Sequence, residues 1–295
     1  MKNTTQLIGR KAMSAKTSRR ISNAIIYIIL GVMTVVWLFP FFGIVLESFK
    51  CEYGGMTGYL FPKEFGFDNY ITLFTKTDFP RWFGNTLFMG VATAIFQTFF
   101  VLSMSYTLSR LRFKGRKMLM NAMLVLGMFP GFLTMILIYK VFSMPELSLT
   151  GINAPVGLII VYCASSGMGY HVSKGFFDTI PKSLDEAARV DGATRWQVFY
   201  KVIMPMSKPI IIYTILMGFM APWGDFMMAS YIAKASSEGY NVAVGIKTYL
   251  DKTAINDKYT LFCAGGVCVA LPVTVVFLSL QKYYVEGVTG GAVKG

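Results

Sequence analysis

Charge is what this sequence has least of. Only 15% of its 295 residues are Asp, Glu, Lys or Arg, against about 25% in an ordinary soluble protein. A soluble fold of this size would have too little polar surface, so the soluble classes are excluded. Histidine is reduced to one, His171, at the edge of an apolar run. No Ser–His–Asp or metal constellation assembles around it. The four cysteines, Cys51, Cys163, Cys263 and Cys268, form no C-x-x-C pair, so neither a disulfide framework nor a zinc site is indicated. No G-x-x-x-x-G-K-[ST] loop occurs, and in the Gly-rich end Gly287–Gly295 the lysine, Lys294, has only Gly295 after it. That end builds no phosphate cradle, and hydrolysis of ATP by this chain is excluded.

What is present is apolar. Hydrophobic residues make up 54% of the chain and cluster into runs long enough to cross a bilayer core of roughly 30 Å. The reading is an all-α integral membrane protein with six spans, at about 24–46, 84–109, 118–139, 152–172, 210–233 and 261–281. The first run is too long for a signal peptide and no A-x-A site follows it, so it reads as an uncleaved span. Pro40, Pro130, Pro222 and Pro272 fall within spans, where proline kinks a helix.

The net charge of +13 reads as topology. No nucleic-acid signature accompanies it. Basic residues number six before the first span, then four, five, one, six and four in the successive connections. Lys and Arg accumulate on the cytoplasmic side. The alternation places the N-terminus, the 110–117 loop and the 173–209 connection in the cytoplasm. An even number of spans returns the C-terminus there. The division is a basic N-terminal segment 1–23, a membrane domain 24–281 and a Gly-rich tail 282–295. The outer segments 47–83 and 234–260 are long enough to be partly folded.

Residues 185–209, DEAARVDGATRWQVFYKVIMPMSKP, are too long and too patterned for a simple connection. Ser183 and Glu186 fit a capping box. Gly192 fits the left-handed position that ends a helix. Thr194 and Gln197 offer a second box, and Trp196, Phe199 and Ile203 make an apolar stripe. The pattern encodes helix, glycine turn, helix. Ala187 and Ala188 give the first helix a low-relief face among Arg189, Asp191, Arg195 and Lys201, which suits a protein partner. A hairpin that merely joins two spans fits the pattern as well. Glu186 reads as a cap, a partner contact or both.

The series Ile180-Pro181, Leu184, Glu186-Ala187-Ala188, Asp191-Gly192-Ala193, Ile203, Pro205 and Pro209 resembles the EAA signature of ABC-importer permeases. Asn241–Gly245, Tyr249-Leu250, Leu271–Thr274 and Gly287, Gly290-Gly291 and Lys294-Gly295 extend the likeness to the MalG-type maltose/maltodextrin permease subunits of the carbohydrate-uptake family. The resemblance implies a MetI-like core of five helices with the first span wrapping outside it, in the bacterial cytoplasmic membrane. It implies that loop 181–209 is a coupling helix docking in a separate ATPase through Glu186, Ala187, Ala188, Asp191, Gly192, Ala193 and Pro205. It implies a MalF-like second permease, two copies of the ATPase that bind ATP and Mg, and an external sugar-binding protein touched by Gly239, Tyr240 and Asn241. It places no cofactor in this chain, and it gives the tail a path to the ATPases. The stretch 251–258, DKTAINDK, departs from the family pattern. The substrate implied is an oligosaccharide, first a malto-oligosaccharide. Alginate- or galactose-type oligosaccharides and glycerol phosphate are the alternatives.

Asp225 is the only acid well inside a span, and an intramembrane carboxylate is a functional candidate. It faces the pore or a permease interface, or it is a structural group bonded to Ser230 or Tyr231, or it is protonated. A rival class is an ion-coupled secondary carrier with Asp225 as the coupling group. That class predicts internal repeats, and none is evident.

Overall fold

The computed structural model describes residues 15–164 and 167–292. Residues 1–14 of the basic N-terminal segment, Ser165-Ser166 within the expected fourth span, and 293–295 of the tail lie outside the described residues. The described chain is helical. Its one strand-like pairing is an isolated bridge between Lys50 and Phe65. The helices are α1 (Ala15–Ser48), α2 (Asp68–Thr75), α3 (Phe79–Arg110), α4 (Arg116–Gly127), α5 (Gly131–Phe142), α6 (Ala154–Ala164), α7 (Gly167–Thr179) and α8 (Ser183–Val190). They continue as α9 (Arg195–Met206), α10 (Lys208–Gly224), α11 (Met227–Ala233), α12 (Val242–Lys247) and α13 (Ile255–Ala292).

Among the described residues, three segments are long and apolar enough to cross a membrane alone: Arg19–Ser48, Phe79–Arg110 and Ile255–Tyr283. The expected span 118–139 is a pair, α4 and α5, bent by 97° where Pro130 has no N–H to continue the ladder. The span expected at 152–172 is α6 followed by α7. At eleven residues, α6 alone reaches about 16 Å, half a bilayer core. The span expected at 210–233 is α10 and α11, interrupted at Asp225-Phe226. The Gly-rich tail stays helical to Ala292 as an extension of α13. Pro40 and Pro272 sit inside continuous helices.

Helix α3 is the axis of the fold. It packs against α6, α7 and α10. Its crossing with α10 is set by two glycines. A Cβ on Gly90 would lie 3.0 Å from the Phe219 carbonyl oxygen, and one on Gly218 would lie 3.0 Å from the Ala94 Cα. Small residues let membrane helices approach this closely, because packing rather than water exclusion holds them together. Four apolar clusters lie along the axis among the described residues, one of them the small group Val101, Leu108 and Tyr170. One end holds Phe79, Trp82, Phe219, Trp223, Val242 and Tyr249. The middle holds Met89, Leu158, Ala229 and Ile232. The other end holds Leu102, Tyr106, Phe177, Ile180, Val198 and Ile203.

Helix α1 lies outside this packing, with its most apolar window wholly exposed in the isolated chain. It touches α13. The segment after α1 is folded, as its length suggested. Lys50 is buried there and donates to Glu47 Oε1, Thr57 Oγ1 and the Tyr59 carbonyl at 2.5, 2.5 and 2.7 Å. All three ammonium donors are used, which makes its burial tolerable.

Candidate functional site

The connection 180–209 forms two helical arms joined by a turn. The first arm, α8, starts one residue earlier than its sequence suggests. Lys182 already has helical angles and accepts the Glu186 amide at 3.1 Å. Pro181, with its φ fixed near the helical value, opens the turn ahead of Ser183. Ser183 therefore lies inside the helix, the Ser183–Glu186 capping box does not form, and the Glu186 carboxylate stands exposed. The arm ends as a Schellman motif. The Ala193 amide donates to the Ala188 carbonyl at 2.9 Å and the Gly192 amide to that of Arg189 at 3.0 Å. Gly192 has φ +82° with open space around its missing Cβ. Its requirement is the left-handed backbone, not room.

The second arm, α9, is capped as its sequence suggests. Thr194 Oγ1 accepts the Gln197 amide at 3.2 Å, and Gln197 Oε1 accepts the Thr194 amide at 2.8 Å. The arm then widens to a π-turn over Val198–Ile203, where Pro205 deprives the helix of a donor. This winding corrects the apolar stripe. Val198 and Ile203 are buried and Phe199 half-buried, while Trp196 turns outward at 64% exposure and lies against Phe199.

The expected partner-facing residues divide by exposure. Glu186, Ala187, Asp191, Gly192 and Pro205 are exposed, and Ala188 and Ala193 are half-buried against the core. Sequence reading missed Val190, which is 87% exposed at the tip of α8. Four neighbours beneath the elbow, Arg110, Ser109, Lys174 and Asp178, were also missed. Arg110, the last residue of α3, donates through Nη2 to the Phe177 and Ile180 carbonyls at 2.9 and 2.7 Å. Its Nη1 lies 3.4 Å from Asp185 Oδ2. Beside it, Ser109 and Lys174 each donate to Asp178, both at 2.5 Å. Burial raises the Asp178 pKa, but these two donors outweigh it and hold the carboxyl below its ordinary range. No local pattern signals the Arg110 contacts, since its partners lie about seventy residues away.

At the other end, Asp225 sits at the break between α10 and α11. Its Oδ2 accepts from the Tyr162 hydroxyl at 2.7 Å and its Oδ1 from the Met228 amide at 3.1 Å. Ser230 and Tyr231 are not its partners. Ser230 bonds the Met227 carbonyl, and the Tyr231 ring packs on Tyr139. Asn241 completes the break. Its side chain donates to the Pro222 and Asp225 carbonyls at 3.0 and 2.6 Å and accepts the Val244 amide at 2.9 Å. Carbonyls freed by an interrupted helix must find donors in a membrane, and Asn241 supplies both. Asn241 is therefore wholly buried, and Gly239 is buried against Gly151. Of the three residues expected to touch an external protein, Tyr240 alone keeps partial exposure. Among the described residues, no cluster of three His, Cys, Asp or Glu is placed to hold a metal.

Residues 101–289 match the family model described as binding-protein-dependent transport system inner membrane component. The chain is 33% identical to the maltodextrin transport system permease protein MalD of Streptococcus pneumoniae, over 96% of this chain and 99% of that protein. It is 32% identical to the galactooligosaccharides transport system permease protein GanQ of Bacillus subtilis, over 95% and 98%. Its fold is similar to a chain of a bacterial ABC transporter involved in the import of the acidic polysaccharide alginate, with a TM-score of 0.75, 24% identity and coverage of 90% and 98%.

Proposed function

The chain belongs to the binding-protein-dependent transport system inner membrane components, and from that premise we propose that it forms half of the path of an ATP-driven importer of malto-oligosaccharides. It is a sugar ABC permease subunit of the inner membrane, not itself an enzyme. In the proposed assembly it pairs with a second, MalF-like permease, two ATPase subunits that hold ATP and Mg, and an extracytoplasmic sugar-binding protein. Both termini and the elbow face the cytoplasm, as the basic-residue alternation suggests.

The observation that carries this reading is the elbow. Helix α8 offers Glu186, Ala187, Val190 and Asp191 outward, while Ala188 and Ala193 pack inward. A rigid arm with an exposed low-relief face suits the cleft of a motor subunit. The inward side rests on Tyr106 and Phe177, so a push on the arm reaches α3 and α7. On the opposite side, Glu238 and most of 251–258 are exposed and Tyr240 half-buried, and in the proposed assembly they form the surface offered to the binding protein. The relatives named for maltodextrin and galactooligosaccharides put α-glucans first and galacto-oligosaccharides second.

The test is uptake by the purified assembly in proteoliposomes, with the cognate binding protein screened against a sugar panel. Uptake should require ATP and follow malto-oligosaccharides. Preference for galactose polymers selects the second substrate. Uptake that survives ATP depletion but collapses with an uncoupler selects an ion-coupled carrier and ends the reading.

A further inference from the structure

The elbow meets the membrane helices at one buried cation. We infer that Arg110 is a positioning residue that locks α8 to α3, so that a displacement of the coupling arm is delivered to the axis of the fold as one body. This inference rests on the reading that an ATPase grips α8.

Arg110 joins three elements. It closes α3, it satisfies the Phe177 and Ile180 carbonyls left open at the end of α7, and it faces Asp185 in the first turn of α8. Helix termini leave carbonyls without intrahelical partners, and a cation there is favoured by the helix dipole as well. Ser109 and Asp178 tie α3 to α7 a second time. Arg110–Asp185 is the one charged tie between α8 and this frame among the described residues. The two side chains are 3% and 14% exposed, so salt screens them little.

The geometry also has a direction. At 3.4 Å the pair is longer than a charge-assisted hydrogen bond, and Arg110 Nε and Nη1 and Asp185 Oδ1 are buried without hydrogen-bond partners. Moving α8 inward by roughly half an ångström brings Nη1 to charge-assisted hydrogen-bond distance of Oδ2. Moving it outward leaves two buried charges unpaired. The contact therefore opposes withdrawal of α8 from α3. Apolar contacts between Ile180, Val198 and Tyr106 are non-directional and supply no such asymmetry.

The experiment uses the full importer in proteoliposomes and reads ATP hydrolysed per sugar transported. Asp185→Asn keeps the side-chain shape and both Arg110–carbonyl bonds but removes the opposing charge. The ratio should rise roughly tenfold, less than the full cost of breaking a buried pair because Arg110 keeps both carbonyl bonds. Asp185→Glu restores the charge and should return the ratio to within about twofold of the parent. A second readout needs no perturbing variant at the pair. Spin labels at Lys182, exposed at the start of α8 and not among the residues offered to the ATPase, and at the exposed Phe100 report the distance from the arm to α3. That distance should be the same with and without ATP, and should become nucleotide-dependent in Asp185→Asn. An unchanged ratio in an assembled Asp185→Asn importer, or a parental label distance that shifts with ATP, overturns the inference alone. Parental uptake that ignores ATP overturns the coupling reading and this inference with it.

Discussion

The elbow at 180–209 and the helix break at 222–245 solve one problem in opposite ways. Each interrupts a helix and must satisfy the polar groups it frees. At the break, Asn241 spends its whole amide inside the chain, on the Pro222 and Asp225 carbonyls and the Val244 amide. At the elbow, the bonds that shape the turn are local backbone bonds, and the side chains of Glu186 and Asp191 are left exposed. The difference separates a fixed pin from a handle. A region whose polar groups are consumed internally holds shape, and one whose polar groups stay outward is available to a partner.

The sharpest way to break this contrast is at the pin. Asn241→Ala strands two buried carbonyls and removes a cap, which should cost about 2–4 kcal/mol. Thermal unfolding of the purified subunit assembly should show the loss together with abolished uptake. An unchanged melting temperature would place Asn241 outside the supporting frame. At the handle, Gly192→Val forces a branched residue into φ +82° and should cost about 1–2 kcal/mol. Its uptake should fall further than its stability, measured as sugar transported per ATP.

Thr194→Ala removes one hydrogen bond of the capping box and should cost about 1 kcal/mol, with uptake reduced only modestly. The smallest effect is on pH dependence. Asp178 is held below its ordinary pKa of 3.8, so its contribution is complete above that value and is lost as the pH falls through the lowered one. Stability scanned from pH 6 to 3 should therefore decline less steeply in Asp178→Asn than in the parent.

What was legible in the sequence was local. The Thr194–Gln197 box and the Gly192 stop depend on neighbours within a turn, and both stand as read. The Ser183 box failed by one residue, because Pro181 opened the turn before it. The outward face of Trp196 was hidden because a π-turn changes the helical register that the stripe assumed. Pro130 announced a bend, but not one of 97°. Long-range partners left no trace. Arg110 had a sufficient explanation as one of five basic residues in its loop, and Asp225 had nearer hydroxyls than Tyr162. The all-helical fold and the helix–glycine turn–helix of residues 183–206 were thus visible. The polar contacts that join its parts, set by tertiary packing, were not.

The space around Gly192 has one more consequence. With φ +82° and nothing within 4 Å of a would-be Cβ, the position selects handedness and is indifferent to bulk. A D-alanine introduced by semisynthesis prefers this backbone for the same steric reason that an L-residue avoids it. It should stiffen the bend while leaving every neighbour in place, which would separate stereochemistry from flexibility as the property that glycine provides there.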